Sequence, residues 1–416
     1  MSKIKRIVVM AVGSGGDVAP MASVAAKFAD RGFECTLLAP ARYKRCTQGT
    51  GVIFQSIGAD EIFAEVFDGD DIWHPLKGSR AAWRYYDAAM RSGFQALRQG
   101  WSSSDTILVS SSFAVAARLA EELDGYRNTT VHLSPSVIFS AHQPSKWPKY
   151  SISPTWPLFL KRLMIREAER WITDPMIGAH VNSFRLELGL PPVKNLFSQW
   201  LHSPRRVIYA FPEWFASSAE DWPVNGVFAG FPGGINREHL LPTELEAFLQ
   251  KGIEPVAVIT AGTAVAARPV WVDRIVDFSI SQGTRVVVIG PVSHPVRDDK
   301  LVCRISYAPF EALLSRAHLI IHHAGIGTIA EAMRAGLPQL LVPMAHDQVD
   351  NAARLEKIGF GRKIDPTNLE TVETAWHWAF NLNTKNALKE AQQKLMVDGD
   401  GACRIVETIL TDLSNE

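Results

Sequence analysis

Leu319, Ile320 and Ile321 form a short apolar run that reads as a buried strand, and the segment just after it constrains this chain more than any other. A His pair leads into the small-residue turn Ala324-Gly325-Ile326-Gly327-Thr328. Ile329 to Ala335 then reads as a helix stopped by Gly336 and Pro338, and Gln339 to Val342 as a second strand ending at Pro343. A strand that turns through glycines into a helix aims backbone N–H groups and the positive helix end at one point, which suits phosphate. His323 stands at the mouth of that turn, where a side chain can share a phosphate's charge. Glu331 lies one turn into the helix, placed for ribose hydroxyls. Asp347 and Gln348 follow the next strand, at the carboxyl edge of the sheet where open α/β folds bind ligands.

The same grammar runs along the whole chain. Ile7 to Val12 is an apolar strand, followed by the turn Gly13-Ser14-Gly15-Gly16-Asp17 and a helix starting near Pro20, a residue favoured in a first helical turn. Gly32 ends that helix and Cys35 to Ala39 reads as the next strand. Ile107 to Ser110, Val131 to Leu133 and Val207 to Ala210 read as further strands, with helical stretches such as Phe113 to Leu123 between them. Polar, glycine-containing residues from Gly233 to Glu238 read as a linker. The second half opens with Val256 to Thr260 and the turn Ala261-Gly262-Thr263, and continues through Val286 to Ile289 into the glycine turn at Gly325. Strand alternating with helix predicts a mostly parallel sheet in each half. The tail from Lys385 to Leu413 reads as helical.

A chain of 416 residues holds two to three ordinary domains, and 47% hydrophobic with 21% charged residues is a globular composition. Lys+Arg and Asp+Glu balance at 43 each, so no strong field favours nucleic acid. Cys35, Cys46, Cys303 and Cys403 show neither metal-ligand spacing nor a disulfide framework. The apolar run after the first basic residues ends at the glycine turn, too short for a signal or a span. The expectation is a cytoplasmic enzyme, with any membrane association at the surface of the inner face. The first glycine turn approaches a dinucleotide fingerprint but lacks the third glycine. Its second strand ends Leu38-Ala39-Pro40 without the acid that a dinucleotide ribose needs, so no nicotinamide cofactor is expected.

The pattern from Tyr307 to Gln348 resembles the donor signature of nucleotide-sugar glycosyltransferases with two facing Rossmann-like domains, the group that includes plant secondary-product, sterol, macrolide and glycopeptide enzymes. In the plant form it reads Trp-x-Pro-Gln, then His-Cys-Gly-Trp-Asn-Ser-x-x-Glu, then Asp-Gln. Tyr307 matches the Trp, Pro309 the Pro, His323 the His, Gly325 the Gly, Thr328 the Ser, Glu331 the Glu and Asp347-Gln348 the final pair. Phe310, Ile326 and Gly327 replace Gln, Trp and Asn, which leaves the diphosphate site intact and the donor base and sugar open. The resemblance implies an α/β fold of the GT-B type, with an interdomain cleft. Residues 1–232 would form an acceptor-binding domain, 239–384 a nucleotide-sugar-binding domain, and 385–416 a C-terminal helix packing back on the first.

Gly-Asp-x-x-Pro at Gly16 to Pro20 resembles the sterol and glycopeptide branch. It implies Asp17 as the general base, where plant relatives carry His, although a helix cap is the plain alternative. By the same resemblance Tyr307 would stack on the donor base and Ala308 bond its edge. Gly16, Thr263, His323, Gly325, Gly327 and Thr328 would surround the donor phosphates, Glu331 would hold ribose, and Asp347 and Gln348 the sugar. Thr263 is open to a cap role as well. His322, His346 and Asp350 match no standard ligand set, so no metal and no cofactor are expected. His322 reads as structural and His346 as a wall of the donor site.

Nine of the twelve tryptophans fall between Trp73 and Trp222. Trp73, Trp83, Tyr85, Tyr86 and Phe94 occupy one stretch, and Trp147, Tyr150, Trp156, Phe159 and Trp171 another, suiting either core packing or a greasy acceptor slot. Segments such as Phe197-Ser198-Gln199-Trp200-Leu201-His202-Ser203-Pro204 and Ala345-His346-Asp347-Gln348 resemble the rhamnosyltransferase branch of rhamnolipid synthesis and its glucolipid-making relatives. That likeness implies inverting transfer of L-rhamnose from dTDP-rhamnose, or glucose from UDP-glucose, to a hydroxyalkanoyloxyalkanoate lipid in biosurfactant synthesis. His132, Ser134, Trp147 and Trp200 are the acceptor candidates, with His132 equally readable as a satisfied core histidine. Two rivals stand beside this reading: a sterol, carotenoid or polyketide aglycone as acceptor, and a non-catalytic partner protein of the same fold.

Overall fold

Strands such as Ile7-Val8-Val9-Met10 and Val256-Ala257-Val258-Ile259 are apolar on both faces, so each must be covered on both sides, which is the situation of a parallel sheet between helices. A computed structural model describes residues 4–69, 72, 77–147, 151–233, 240–262, 270–290 and 300–415. The chain divides into two units, residues 1–235 with 399–416, and residues 236–398. In the first, the described strands are β1 (Arg6–Met10), β2 (Glu34–Ala39), β3 (Ile53–Ser56), β4 (Thr106–Ser111), β5 (Arg127–His132), β6 (Arg206–Tyr209) and β7 (Gly226–Phe228). They lie in the order β3-β2-β1-β4-β5-β6-β7, with every pairing parallel. The second unit holds β8 (Val256–Thr260), β9 (Arg285–Ile289), β10 (Val302–Ile305), β11 (Leu319–His322), β12 (Gln339–Leu341) and β13 (Gly361–Lys363). Their order is β10-β9-β8-β11-β12-β13, again all parallel. Both are Rossmann-like sheets whose order reverses once, between β1 and β4 and between β8 and β11. Ligands bind such sheets at the carboxyl ends of the strands that flank the reversal.

The register brings the two glycine turns to those reversals. Met10 pairs with Ser110, so the Gly13–Asp17 turn leaves the sheet beside Ser111 and Ser112. The backbone N–H of Val12 donates to Ser111 Oγ at 3.2 Å and ties the two strand ends together. In the second unit Thr260 pairs with His322, so Ala261-Gly262 and His323-Ala324 emerge side by side.

Several elements differ from the expectation. The first helix runs Gly15–Ala29, starting a full turn before Pro20. Ser14 and Asp17 close its N-terminus: the Ser14 N–H and hydroxyl both donate to Asp17 Oδ2, at 2.8 and 3.1 Å. Pro20 therefore sits inside the helix. The helix after β11 likewise begins at Ile326, with Gly325 as its N-cap, inside the turn rather than after it. Strand β5 takes in the polar residues Arg127 to Thr130, because tertiary partners satisfy them: Ser110 Oγ donates to Asn128 Oδ1 at 2.9 Å, and Ser203 N–H to Thr130 Oγ1 at 3.1 Å. Trp83, Tyr85 and Phe94 lie on the long helix Lys77–Gly100 with exposures of 4%, 0% and 2%, so they are core and not a slot between elements. The tail forms two helices, Leu382–Asp398 and Gly401–Ser414, broken at Gly399 with φ +75°. The former belongs to the second unit, where Gln392 Nε2 donates to the Arg334 carbonyl at 2.6 Å. The latter returns to the first unit, with Arg206 gripping Asp412 through two bonds of 2.7 and 2.6 Å. Trp73, Tyr150, Thr263 and Gly234 to Glu238 of the expected linker lie outside the described residues.

Arg185, 1% exposed on the helix Asp174–Glu187, binds the helix Val115–Asp124 by a two-pronged pair with Glu122 at 2.6 and 2.9 Å, and donates to the Pro191 carbonyl at 2.8 Å. Trp200 Nε1 joins the same carboxylate at 3.2 Å. Removing the acid leaves a buried guanidinium uncompensated, which costs about 3 kcal/mol or more. We therefore expect Glu122→Ala to lower unfolding stability by about 3 kcal/mol in urea titration. An unchanged midpoint would mean that water already solvates Arg185.

Candidate active site

His323 is the first residue after β11, and its ring is wedged between two glycines. A Cβ on Gly262 (φ +93°) would stand 2.7 Å from His323 Cε1, and one on Gly325 would run into Nε2. Burial holds its pKa down, from 6.5 to about 4. Nδ1 is buried and has no hydrogen-bond partner among the described residues. A ring nitrogen in that state seeks an external partner, and an anion at this point would raise the imidazole's proton affinity. Ala324 then takes a left-handed φ of +65°, which a residue with a side chain adopts only when its surroundings impose it. Here the Ala324 N–H donates to His322 Nδ1 and its carbonyl accepts from Asn351 Nδ2, both at 3.2 Å. Gly325 follows as an N-cap with no side chain, so no capping group covers the first N–H groups of the helix Ile326–Arg334.

His322 faces the opposite way, fully buried, with Nε2 bonded to Gln339 Oε1 at 3.0 Å and its pKa lowered to about 3 by burial. It is a structural residue, as its sequence position suggested. Asp350 binds Arg354 at 2.7 Å, a partner that accounts for its charge. Glu331 is paired with Arg334 at 2.8 Å on the same helix. Asp347 Oδ2 accepts from Asn351 Nδ2 at 2.7 Å, while Gln348 Oε1 accepts from the Met344 and Ala345 N–H groups at 2.9 and 3.1 Å. The Gln348 oxygen is thus committed to the turn, leaving its amide N–H groups as the donating end. His346 is held at φ +56° in that turn. Tyr307 exposes 43% of its surface next to buried Ala308, as an aromatic platform beside a strand edge would.

Asn351 drew no attention in the sequence, yet one amide nitrogen bridges Ala324 and Asp347 and joins both arms of the site. Only its position, one helical turn after Asp347, hinted at this.

At the carboxyl edge of the first sheet, Asp17 closes the helix cap at Ser14, and Gly16 is exposed beside it. His132 ends β5 fully buried, bonded to Ser112 Oγ at 3.0 Å and His202 Nδ1 at 2.8 Å. Ser134 is buried against Ser136 at 3.2 Å, and Trp147 is 40% exposed. Trp200 is buried, with Arg118 and Arg185 each 5.4 Å from its ring. Its segment is nonetheless held firmly. Glu169 accepts from Ser198 N–H and Oγ at 2.9 and 2.6 Å, and Asp174 from the Asn195 and Leu196 N–H groups at 2.8 and 3.0 Å. That anchoring seats buried Phe197, which stacks on Phe139 at 4.8 Å and meets Phe113 edge-on at 6.1 Å. Tyr86 stacks on Phe113 at 5.1 Å, completing an aromatic cluster next to Ser112.

Comparison with known proteins decides the family. The N-terminal domain model of glycosyltransferase family 28 matches residues 7–122 and the C-terminal domain model residues 296–402, together more than half of the chain. The chain belongs to glycosyltransferase family 28. It is 27% identical over 375 residues to the O-mycaminosyltylonolide 6-deoxyallosyltransferase of Streptomyces fradiae, covering 85% of this chain and 84% of that one. The fold matches the kitacinnamycin glycotransferase with a TM-score of 0.75, at 18% identity over 99% of both chains. It also matches a glycosyltransferase of Streptomyces sp. SF2575 solved with thymidine diphosphate, with a TM-score of 0.66, at 16% identity over 98% and 99% of the two chains. The protein is thus a sugar-transferring enzyme that uses a nucleotide-sugar donor. Among the described residues of this glycosyltransferase, no helix is long and apolar enough to cross a membrane.

His132, His202, His322 and His323 all have pKa values held below 6.5 by burial, His202 and His323 at about 4 and His322 at about 3. The unfolded chain therefore binds more protons than the folded enzyme between about 4 and 6.5, so stability is lost as pH falls through that window. Each such group contributes up to about 1.4 kcal/mol per pH unit. We expect the urea midpoint to drop steadily from pH 7 to pH 5. A flat profile would mean that these rings are solvated.

Proposed function

We propose that this family 28 enzyme transfers a hexose, L-rhamnose from dTDP-rhamnose or glucose from UDP-glucose, with inversion to the hydroxyl of a hydroxyalkanoyloxyalkanoate lipid. The observation that carries this reading is the wall of Phe113, Phe139 and Phe197, with Tyr86, at the carboxyl edge of the first sheet. Phe197 is buried at the base of this cluster, and the half-buried rings of Phe113, Phe139 and Tyr86 would offer an acyl chain an apolar face; the segment that holds Phe197 is among those resembling the glycolipid branch. The lipid hydroxyl attacks the anomeric carbon, its proton passes to Asp17, and the nucleoside diphosphate leaves with the bonding electrons. His323, together with the N–H groups from Gly325 to Thr328, receives the negative charge of the departing diphosphate, so fixed donors serve where a cation otherwise would. Tyr307 and Ala308 hold the base, Glu331 the ribose, and Asp347 with the Gln348 amide the sugar. A polyketide aglycone is the second reading, favoured by the likeness to the O-mycaminosyltylonolide transferase. Association with the inner membrane surface would follow from a lipid acceptor.

The purified enzyme, given either donor and the lipid acid dimer, should yield the monoglycosylated lipid by mass spectrometry. Transfer to a macrolide hydroxyl with none to the lipid would overturn the lipid assignment. Asp17→Asn should separate base from cap. Asn keeps an oxygen for the Ser14 N–H, so stability should hold, whereas transfer should slow by roughly 10² to 10⁴ if the carboxylate takes the proton. Near-normal turnover in that variant would leave Asp17 as a cap alone.

A further inference from the structure

The helix Leu158–Ala168 and the π-helical turn Glu169–Thr173 that continues it are built inside out. Between them they bury two side chains, and both are charged residues, Lys161 and Glu169. Lys161 Nζ donates to the Pro154 carbonyl at 3.1 Å, and Glu169 accepts from the Ser198 N–H and hydroxyl. The apolar residues are left outside. Phe159 is 72% exposed, Trp171 66% and Ile172 52%, and Trp156, Leu163 and Met164 are exposed as well. A helix of a globular domain normally turns its apolar side to the core. Here polar anchors fasten the element to the first unit and leave its apolar side for another surface.

Arginines complete that side. Phe159, Leu163, Glu167 and Trp171 recur every four residues, and so do Arg162, Arg166 and Arg170, so an apolar stripe runs beside a basic one. All three arginines are exposed. Glu167, the acid of the stripe, is compensated within it: Oε1 accepts from Arg166 Nε at 3.3 Å and Oε2 from Trp171 Nε1 at 2.9 Å. Arg170 lies 5.0 Å from the Trp171 ring. Arg162 Nη2 is 3.4 Å from His142 Nε2, which in turn is 3.8 Å from exposed Glu220. We propose that this face docks on an anionic lipid surface. Aromatic and aliphatic side chains enter the headgroup boundary, and the guanidinium groups meet the lipid phosphates. A second copy of the chain fits less well, because a twofold contact would set arginines against arginines with Glu167, already paired, to answer them. Glu169 ties the docked element to Ser198, next to Phe197, so the lipid surface and the aromatic cluster share the connection from β5 to β6. Such docking adds to the proposed reaction and does not require a lipid acceptor.

Sedimentation of the purified enzyme with vesicles tests this without donor or acceptor, so a failed acceptor assignment leaves the result readable. Phosphatidylglycerol vesicles are compared with phosphatidylcholine vesicles at low and high salt. Wild type should bind the anionic vesicles, bind the neutral ones at least about tenfold more weakly, and lose affinity as salt rises. Arg162→Gln, Arg166→Gln and Arg170→Gln should each cost roughly fivefold, and the three combined about a hundredfold. Phe159→Ser combined with Trp171→Ser should abolish binding at unchanged charge. Nucleoside diphosphate affinity and the urea midpoint control for folding and should hold in every variant. Absence of binding to phosphatidylglycerol, or equal binding to both lipids, would overturn the proposal. So would a wild-type dimer in light scattering that the two serine substitutions split, since the face would then belong to a second copy.

Discussion

Two parallel strands that lead away to opposite halves of a sheet leave a notch at their carboxyl ends, because no crossover helix covers the gap between them. In this chain the notch occurs between β1 and β4 and again between β8 and β11, and the site residues with unusual surroundings lie at one or the other. Between β8 and β11 the register sets Gly262 beside His323, and the small size of both flanking glycines lets the imidazole fill the notch. The left-handed turn at Ala324 and the bare N-cap at Gly325 follow from packing a helix this close to the strand end. Asn351 then holds the turn from outside, so the strain at Ala324 is over-determined by its neighbours.

The buried histidines show how one residue type takes different tasks through its partners. His322 has both nitrogens occupied by Gln339 and Ala324, and its ring braces the turn. His323, its neighbour in sequence, has a buried nitrogen without a partner among the described residues, which equips it for a ligand. His132 and His202 have each other, and their chain of bonds ends on a hydroxyl at the other notch. Alternation along the β11 edge separates the first two, since successive side chains point to opposite faces of a strand.

Much of this is legible in the order of residues alone. Apolar runs locate β1, β2, β4, β8, β9, β11 and β12, since buried parallel strands need continuous apolar sequence. The edge strands β3, β7, β10 and β13 escape because they are short and partly exposed, and so carry little of that pattern. The glycine turn, His323, Glu331 and the Asp347-Gln348 pair stand out because a strand–turn–helix junction has a local signature. Trp200 misleads, since nothing in its neighbours announces Arg118 and Arg185 arriving from two other helices.

The sequence by itself determined the two parallel sheets, the two glycine turns and which residues border the second, because periodicity, turn chemistry and helix caps act over a few neighbouring residues. Only the tertiary structure decided what each polar group is bonded to. Asn351 reaches Ala324 across 27 residues, His132 reaches His202 across 70, and the Gly401–Ser414 helix returns to the first unit to meet Arg206 across 206. Such partners are chosen by the packing of whole elements, and burial then sets whether a histidine is charged, braced or open to a ligand.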